Sequence, residues 1–222
     1  HRNIVSYHFS YVYDAQLWIA MEYCSASAQS VMRLSLQPLA EAEIAAVCGE
    51  ALRGLDYLHG TCKLIHRDVK AGNILLTERG EVKLADFGVA AQITGTLAKR
   101  STVIGSPMWM SPEMIEAGSY DCRTDVWSLG ITAMELAQLN LPHFEVSPPV
   151  RVLFLIPQLP PPTLVRPELW SESFARFLGR CLTKEPTDRP DAAACLRDPF
   201  LLGGGDGSSV LSQMLRHHLE RV

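Results

Sequence analysis

Asp68, Lys70, Asn73 and Asp86 lie close together in the chain, and their types suit one kind of chemistry. Carboxylate and amide oxygens are hard ligands for magnesium, and a lysine ammonium beside them complements phosphate. Spacing supplies the geometry. Asn73 and Asp86 stand six residues out on either side of the Arg79-Gly80 pair. With that pair at the turn of a hairpin, pairing the two arms sets Asn73 and Asp86 side by side at its open end. Asp68, five residues before Asn73 in HRDVKAGN (66 to 73), then brings a third oxygen, as ligand or base, from the loop that feeds the hairpin.

The elements that must hold these residues follow from periodicity. Short apolar runs at Ile74 to Thr77 and Glu81 to Ala85 predict the two arms. Upstream, Ile44, Val47, Cys48, Ala51, Leu55 and Leu58 recur at helical spacing from Glu41, with Gly60 placed as the C-terminal cap. Residues 3 to 8 and 15 to 22 predict a further antiparallel hairpin. The stretch from Ala91 to Ser106 has no clear period and holds Thr, Ser, Gly, Lys and Arg, so it reads as a long exposed loop, of a length that is usually functional or disordered. Asp121 to Leu139 is apolar around most of its circumference, as expected of a central buried helix. Proline-rich 142 to 162 is irregular apart from 150 to 156, and shorter helices are expected at 171 to 182 and 190 to 197. Gly203 to Ser209 reads as a flexible linker, and Val210 to Val222 as a short amphipathic helix, marginal by itself.

Composition bounds the rest. A chain of 222 residues fits one domain with a short tail. Lys+Arg 20 against Asp+Glu 24 gives a net charge of -4, so no strong field draws it to nucleic acid or to anionic membranes. The six cysteines form no C-x-x-C pair and read as reduced, buried thiols of an intracellular protein. Apolar runs such as Val152 to Ile156 fall far short of the roughly 20 residues of a membrane helix. The chain opens on His1, Arg2 and Asn3 with no methionine, and is read as a fragment.

Taken in order, HRDVKAGN (66 to 73), DFG (86 to 88), SPE (111 to 113) in place of the more usual Ala-Pro-Glu, and DVWSLG (125 to 130) resemble the signature of eukaryotic protein serine/threonine kinases. Within that family, LWIAMEYC (17 to 24) and KRSTVIGSPMWMSPEM (99 to 114) are similar to the sterile-twenty group, which includes the germinal-centre kinases. The resemblance covers about residues 1 to 202. It implies an α+β, protein-kinase-like fold: a remnant of the small lobe and hinge at 1–24, a mostly helical large lobe at 25–202, and a linker and short helix at 203–222.

The resemblance also implies roles. Asp68 would be the base that accepts the substrate hydroxyl proton, with Lys70 steadying the transferred phosphoryl group, and Asn73 and Asp86 would hold magnesium. Met21 looks like the gatekeeper, with the Glu22 carbonyl and the Cys24 N–H offered to the adenine of ATP. Arg67 is placed to receive a phosphate at Thr102, added by an upstream kinase or by self-phosphorylation, and the basic Lys99 and Arg100 precede that site. Ser106 keeps a hydroxyl able to bridge Asp68 and Lys70. Glu113 and Arg189 resemble a buried ion pair, and Asp125 either fixes the catalytic loop from the central helix or caps that helix.

Two departures stand out. No glycine-rich loop, strand lysine or partner glutamate is found in the 222 residues, because GGGDGSS (203 to 209) has Ser208 where G-x-G-x-x-G needs glycine. In SASAQSV (25 to 31), Ser27 or Ser30 stands where relatives carry a polar residue near the ribose, without a fixed register. The function implied is ATP- and magnesium-dependent phosphorylation of Ser/Thr in protein substrates, in the cytoplasm, with little or no activity expected of the 222 residues alone. The alternatives are a catalytically inactive, kinase-like interaction module and a small-molecule phosphotransferase.

Overall fold

The computed structural model describes residues 1–86, 91–92, 106–116, 119–203 and 207–219, with backbone alone at 91–92 and 217–219. Strands β1 (Tyr7–Tyr13) and β2 (Gln16–Met21) pair antiparallel. The first strand begins later than the sequence pattern predicts because Val5 is committed elsewhere, its N–H donating to the Leu84 carbonyl at 3.0 Å. The turn is two residues, Asp14 and Ala15, both left-handed (φ 48 and 58), which matches the natural strand twist.

β3 (Ala26–Ser27) leads directly into α1 (Ala28–Ser35). This helix was not expected, yet its signal is in the sequence: Ser27 and Ser30 form a reciprocal capping box. Ser30 N–H donates to Ser27 Oγ (3.0 Å) and Ser27 N–H donates to Ser30 Oγ (2.9 Å). Both hydroxyls offered as ribose contacts are thus spent on the helix start. Helix α2 (Glu41–Tyr57) follows, buried along Ile44, Val47, Cys48, Ala51 and Leu55 as its period requires. Gly60 does not cap it. The chain continues through a π turn at 58–62, and Lys63 (φ 53) is the left-handed terminator, its N–H donating to the Leu58 carbonyl.

β4 (Leu64–Ile65) precedes the loop at 66–73, and β5 (Ile74–Leu76) pairs antiparallel with β6 (Val82–Leu84). β3 joins the free edge of β5, and β7 (Ala91–Gln92) pairs with β4. Beyond them lie α3 (Pro112–Ile115), α4 (Arg123–Gln138), α5 (Val152–Leu155), α6 (Glu172–Cys181), α7 (Ala192–Cys195), α8 (Pro199–Leu202) and α9 (Gly207–Leu219). Helix α4 is buried almost throughout, including Val126, Trp127, Leu129, Ile131, Met134 and Leu136; α1, α2 and α6 pack against it, while α7, α8 and α9 pack against α2. No helix among the described residues is long and apolar enough to cross a membrane.

The tail differs from its expected form. Helix α9 starts at Gly207, so Ser208 and Ser209 belong to it. Its Leu211, Met214 and Leu215 are buried in the main core. Burying such side chains is worth about 1.5–3 kcal/mol each, more than a marginal isolated helix lacks. The small antiparallel sheets with a helical body make an α+β fold.

Candidate active site

The loop between β4 and β5 is held from beneath by one carboxylate. Asp125, in the first turn of α4 and fully buried, accepts from the backbone N–H of His66 (Oδ2, 2.8 Å) and of Arg67 (Oδ1, 2.8 Å). His59 Nε2 meets the same Oδ2 at 2.7 Å. Asp125 therefore does not act as a helix N-cap, since its oxygens face the loop rather than the N–H groups of its own helix. Its hold fixes Arg67 at φ 69, a region that costs a non-glycine residue energy and needs support from its surroundings. Burial pushes the Asp125 carboxyl up, but hydrogen bonding and charge from His59, with His66 and Arg67 behind it, bring it below its ordinary value. For His59, burial pulls down while Asp125 and the Cys122 side chain push up, and its pKa rises to about 10. The ion pair with Asp125 at 2.7 Å is the closest contact that favours the protonated ring.

With the loop fixed, Asp68 becomes the hub of a dense array. Lys70 Nζ donates to Asp68 Oδ2 at 2.7 Å and to Ser106 Oγ at 2.8 Å. Ser106 returns two bonds to Asp68 Oδ1, from Oγ (2.9 Å) and from its N–H (3.2 Å). Asn73 Nδ2 donates to Asp68 Oδ2 and to the Asp68 carbonyl, both at 2.8 Å. Ser106 thus bridges Asp68 and Lys70 as its hydroxyl allows. Asp68 is buried, which raises its carboxyl pKa, but donors from Lys70, Ser106 and Asn73 outweigh that and leave it below its ordinary value. At neutral pH it is an oriented anion.

The hairpin brings Asn73 and Asp86 to one end, in a register different from the expected one. Ile74 pairs with Leu84 and Leu76 with Val82, and Thr77 N–H donates to the Glu81 carbonyl (3.0 Å). The turn is therefore centred on Arg79, not between Arg79 and Gly80, and Asn73 lies opposite Ala85, whose N–H donates to its carbonyl (2.9 Å). A one-residue slip sends a strand side chain to the other face. Here Asp86 leaves the strand geometry altogether, at φ 65, with an exposed side chain. Ala85 is held from the loop side as well, its carbonyl 3.0 Å from His66 Nε2. Asn73 makes both its side-chain bonds through Nδ2, which leaves Oδ1 without a hydrogen-bond partner among the described residues. An amide oxygen left open beside an exposed aspartate is the donor chemistry that magnesium takes.

On the opposite side, Met21 ends β2 and is half exposed, and Glu22 and Cys24 follow it. Glu22 pairs with Lys83 of β6 at 2.8 Å. Arg67 donates from Nη1 to the Tyr120 hydroxyl at 3.2 Å and makes further contacts. Its expected partner Thr102, like Phe87 and Gly88 of the DFG run, lies outside the described residues. Glu113 and Arg189 form a two-bonded pair (2.7 and 3.1 Å), with Arg189 fully buried and its guanidinium 5.1 Å from the centre of the Trp127 ring.

Three participants escaped the sequence reading. His59 carried a signal, since it shares the helical face that buries Leu55, but nothing in one sequence pairs it with Asp125. Glu135, buried in α4, accepts from Ala71 N–H (3.4 Å) and Trp109 Nε1 (3.3 Å), so it ties the loop to the segment after Ser106. Burial raises its pKa, partly offset by those donors. Lys83 stood in an ordinary strand pattern and showed no sign of its partner.

An oriented carboxylate, a lysine bridged to it through a hydroxyl, and oxygen ligands on an adjoining hairpin together suit transfer of a phosphoryl group to a hydroxyl. The family model of the protein kinase domain matches residues 1–201. The chain belongs to the protein kinase family, whose members transfer phosphoryl groups to protein substrates.

Proposed function

We propose that the chain is the catalytic part of a serine/threonine kinase of the sterile-twenty, germinal-centre-like group, acting in the cytoplasm and dependent on ATP and magnesium. The observation that carries this reading is the triangle of Asp68, Lys70 and Ser106, with Asn73 as a further donor to Asp68. Asp68 orients the acceptor hydroxyl and takes up its proton as the acceptor oxygen bonds to the γ-phosphorus and the bond from that phosphorus to the β,γ-bridging oxygen breaks, with ADP as the leaving group. Both its oxygens are doubly engaged, so room for the incoming hydroxyl requires one donor to swing aside. The Ser106 hydroxyl, which rotates about a single bond, can do so. Lys70, freed toward the transferred group, offsets charge on it.

Asn73 Oδ1 and Asp86 would hold magnesium, which when bound neutralises charge on the nucleotide phosphates. The backbone at Glu22 and Cys24 would take the adenine edge. Neither the Glu22 carbonyl nor the Cys24 N–H is engaged in a hydrogen bond among the described residues. Phosphorylation of Thr102, by an upstream kinase or by the protein itself, would engage Arg67, whose left-handed backbone is already set by Asp125.

Acceptor choice tests the reading. The protein expressed from its complete coding sequence, given matched Ser, Thr and Tyr peptides with Mg-ATP, should phosphorylate Ser and Thr and leave Tyr nearly untouched. Equal turnover of Tyr removes the Ser/Thr assignment, and no turnover of any peptide favours the inactive interaction module.

A further inference from the structure

Lys83 sits in the middle of β6, flanked by the fully buried Val82 and Leu84, with its own side chain only 8% exposed. A buried ammonium is costly unless paired, and replacing a whole buried ion pair by apolar side chains of similar size is commonly neutral or stabilising. Stability alone gives no reason for a lysine there. What the lysine does is reach out of the hairpin in two directions. Nζ donates to the Arg2 carbonyl at 3.0 Å and pairs with Glu22 Oε1 at 2.8 Å. Glu22 is itself held on its other side: Oε2 accepts from Ser6 N–H (3.1 Å), and Glu22 N–H donates to the Ser6 carbonyl (2.8 Å).

These contacts add a charged tie between two parts of the site whose other link is the backbone just past Cys24, where Ser25 N–H donates to the Leu76 carbonyl at 2.9 Å and β3 pairs with β5. Glu22 belongs to the segment proposed to meet the adenine, and β6 leads through Ala85 to Asp86, opposite Asn73. We propose that the Glu22–Lys83 ion pair is a positioning device for phosphoryl transfer, setting the hinge backbone at Glu22 to Cys24 at a fixed separation from the Asn73 and Asp86 end of the hairpin. Neither side chain touches substrate. Together they hold both ends of one nucleotide at the spacing its length demands, and such placement lowers the cost of reaching a reactive geometry. The inference rests on the hinge reading given above.

The test uses the protein expressed from its complete coding sequence, with variants Lys83→Met, Glu22→Gln, the two combined, the charge exchange Glu22→Lys with Lys83→Glu, and Cys24→Pro. ADP affinity is measured with and without magnesium, alongside KM for ATP, kcat and thermal stability. Lys83→Met is expected to weaken ADP binding about tenfold, the order of one charge-assisted hydrogen bond. It should raise KM more than it lowers kcat, and cost more affinity than any accompanying drop in melting temperature explains. Combining it with Glu22→Gln should add little, and the charge exchange should restore part of the affinity. ADP affinity unchanged in Lys83→Met, or affinity lost only in step with melting temperature, overturns the positioning role. Cys24→Pro removes the N–H proposed to meet adenine and separates the two failures. If it weakens ADP while Lys83→Met does not, the ion pair is merely structural and the hinge reading stands. If Cys24→Pro leaves ADP binding intact, the hinge reading falls and the positioning role falls with it.

Discussion

Replacing Asp125 with asparagine keeps the shape of the side chain and removes its charge. Three donors now converge on this carboxylate, the N–H groups of His66 and Arg67 and the His59 ring. An amide has one accepting oxygen, and its NH2 must face one of those donors, so at least one buried group is left unpaired. Removing one partner of a buried charge pair costs about 3–5 kcal/mol. That is a large share of the roughly 5–15 kcal/mol by which domains are stable. For a chain of this size it amounts to a melting temperature lower by about 6–20 °C. The pH dependence follows from the two shifts. His59 has its pKa raised to about 10, so the stability it gains from Asp125 is complete below its ordinary value of about 6.5 and is lost as pH rises through about 10. Asp125 has its pKa lowered, so its contribution is complete above its ordinary value of about 3.9 and is lost as pH falls through the folded value. Urea unfolding of parent and Asp125→Asn at a series of pH values should show a gap that is widest and flat from about pH 5 to 6, narrows at lower pH as Asp125 takes up a proton, and narrows steadily from about pH 6.5 to 10 as His59 loses one. A gap below about 1 kcal/mol at pH 7, or one that widens above pH 10, refutes the reasoning.

Other perturbations give distinct signatures. Glu113→Ala strands the fully buried Arg189 guanidinium and should lower stability by about 3–5 kcal/mol in urea unfolding, whereas a loss under about 1 kcal/mol shows that Trp127 and the backbone carbonyls hold the charge without it. Gly80 is left-handed (φ 75), and a Cβ there would lie 2.4 Å from the Ser208 carbonyl oxygen and 2.6 Å from Ser212 N in α9. Gly80→Ala should therefore cost more in the intact chain than in one ending at Gly203, and equal costs in thermal unfolding contradict the packing of α9 on that turn. Thr102→Ala and Arg67→Ala should each depress phosphoryl transfer and, combined, add little, while losses that multiply in steady-state assays mean the two do not act as a pair.

Much of the site was legible because its chemistry is local in sequence. HRDVKAGN packs Asp68, Lys70 and Asn73 into one loop, and a buried helix such as α4 announces itself by being apolar all round. What one sequence hid was set by backbone details or distant partners. The hairpin register slipped by one because its turn spans five residues, Thr77 to Glu81, and turn length is not fixed by the presence of Arg-Gly. Gly60 has the residue type that ends many helices, yet here the helix widens into a π turn and Lys63 takes the left-handed position. Ser27 and Ser30 were weighed for a ligand while their i, i+3 spacing was that of a helix start. The pairs His59 with Asp125 and Glu22 with Lys83 join residues 66 and 61 positions apart, and no periodicity reports on contacts of that range.

Asp68 bears most of the proposed mechanism, so its removal tests the account most directly. Phosphoryl transfer from Mg-ATP to a Ser peptide is measured for the protein expressed from its complete coding sequence and for Asp68→Asn, with ADP binding followed in parallel. Loss of an oriented base should slow transfer by about 10²–10⁴-fold while ADP affinity stays within a few fold of the parent. Transfer by Asp68→Asn at the parent rate, with ADP still bound, would contradict the claim that Asp68 carries the reaction.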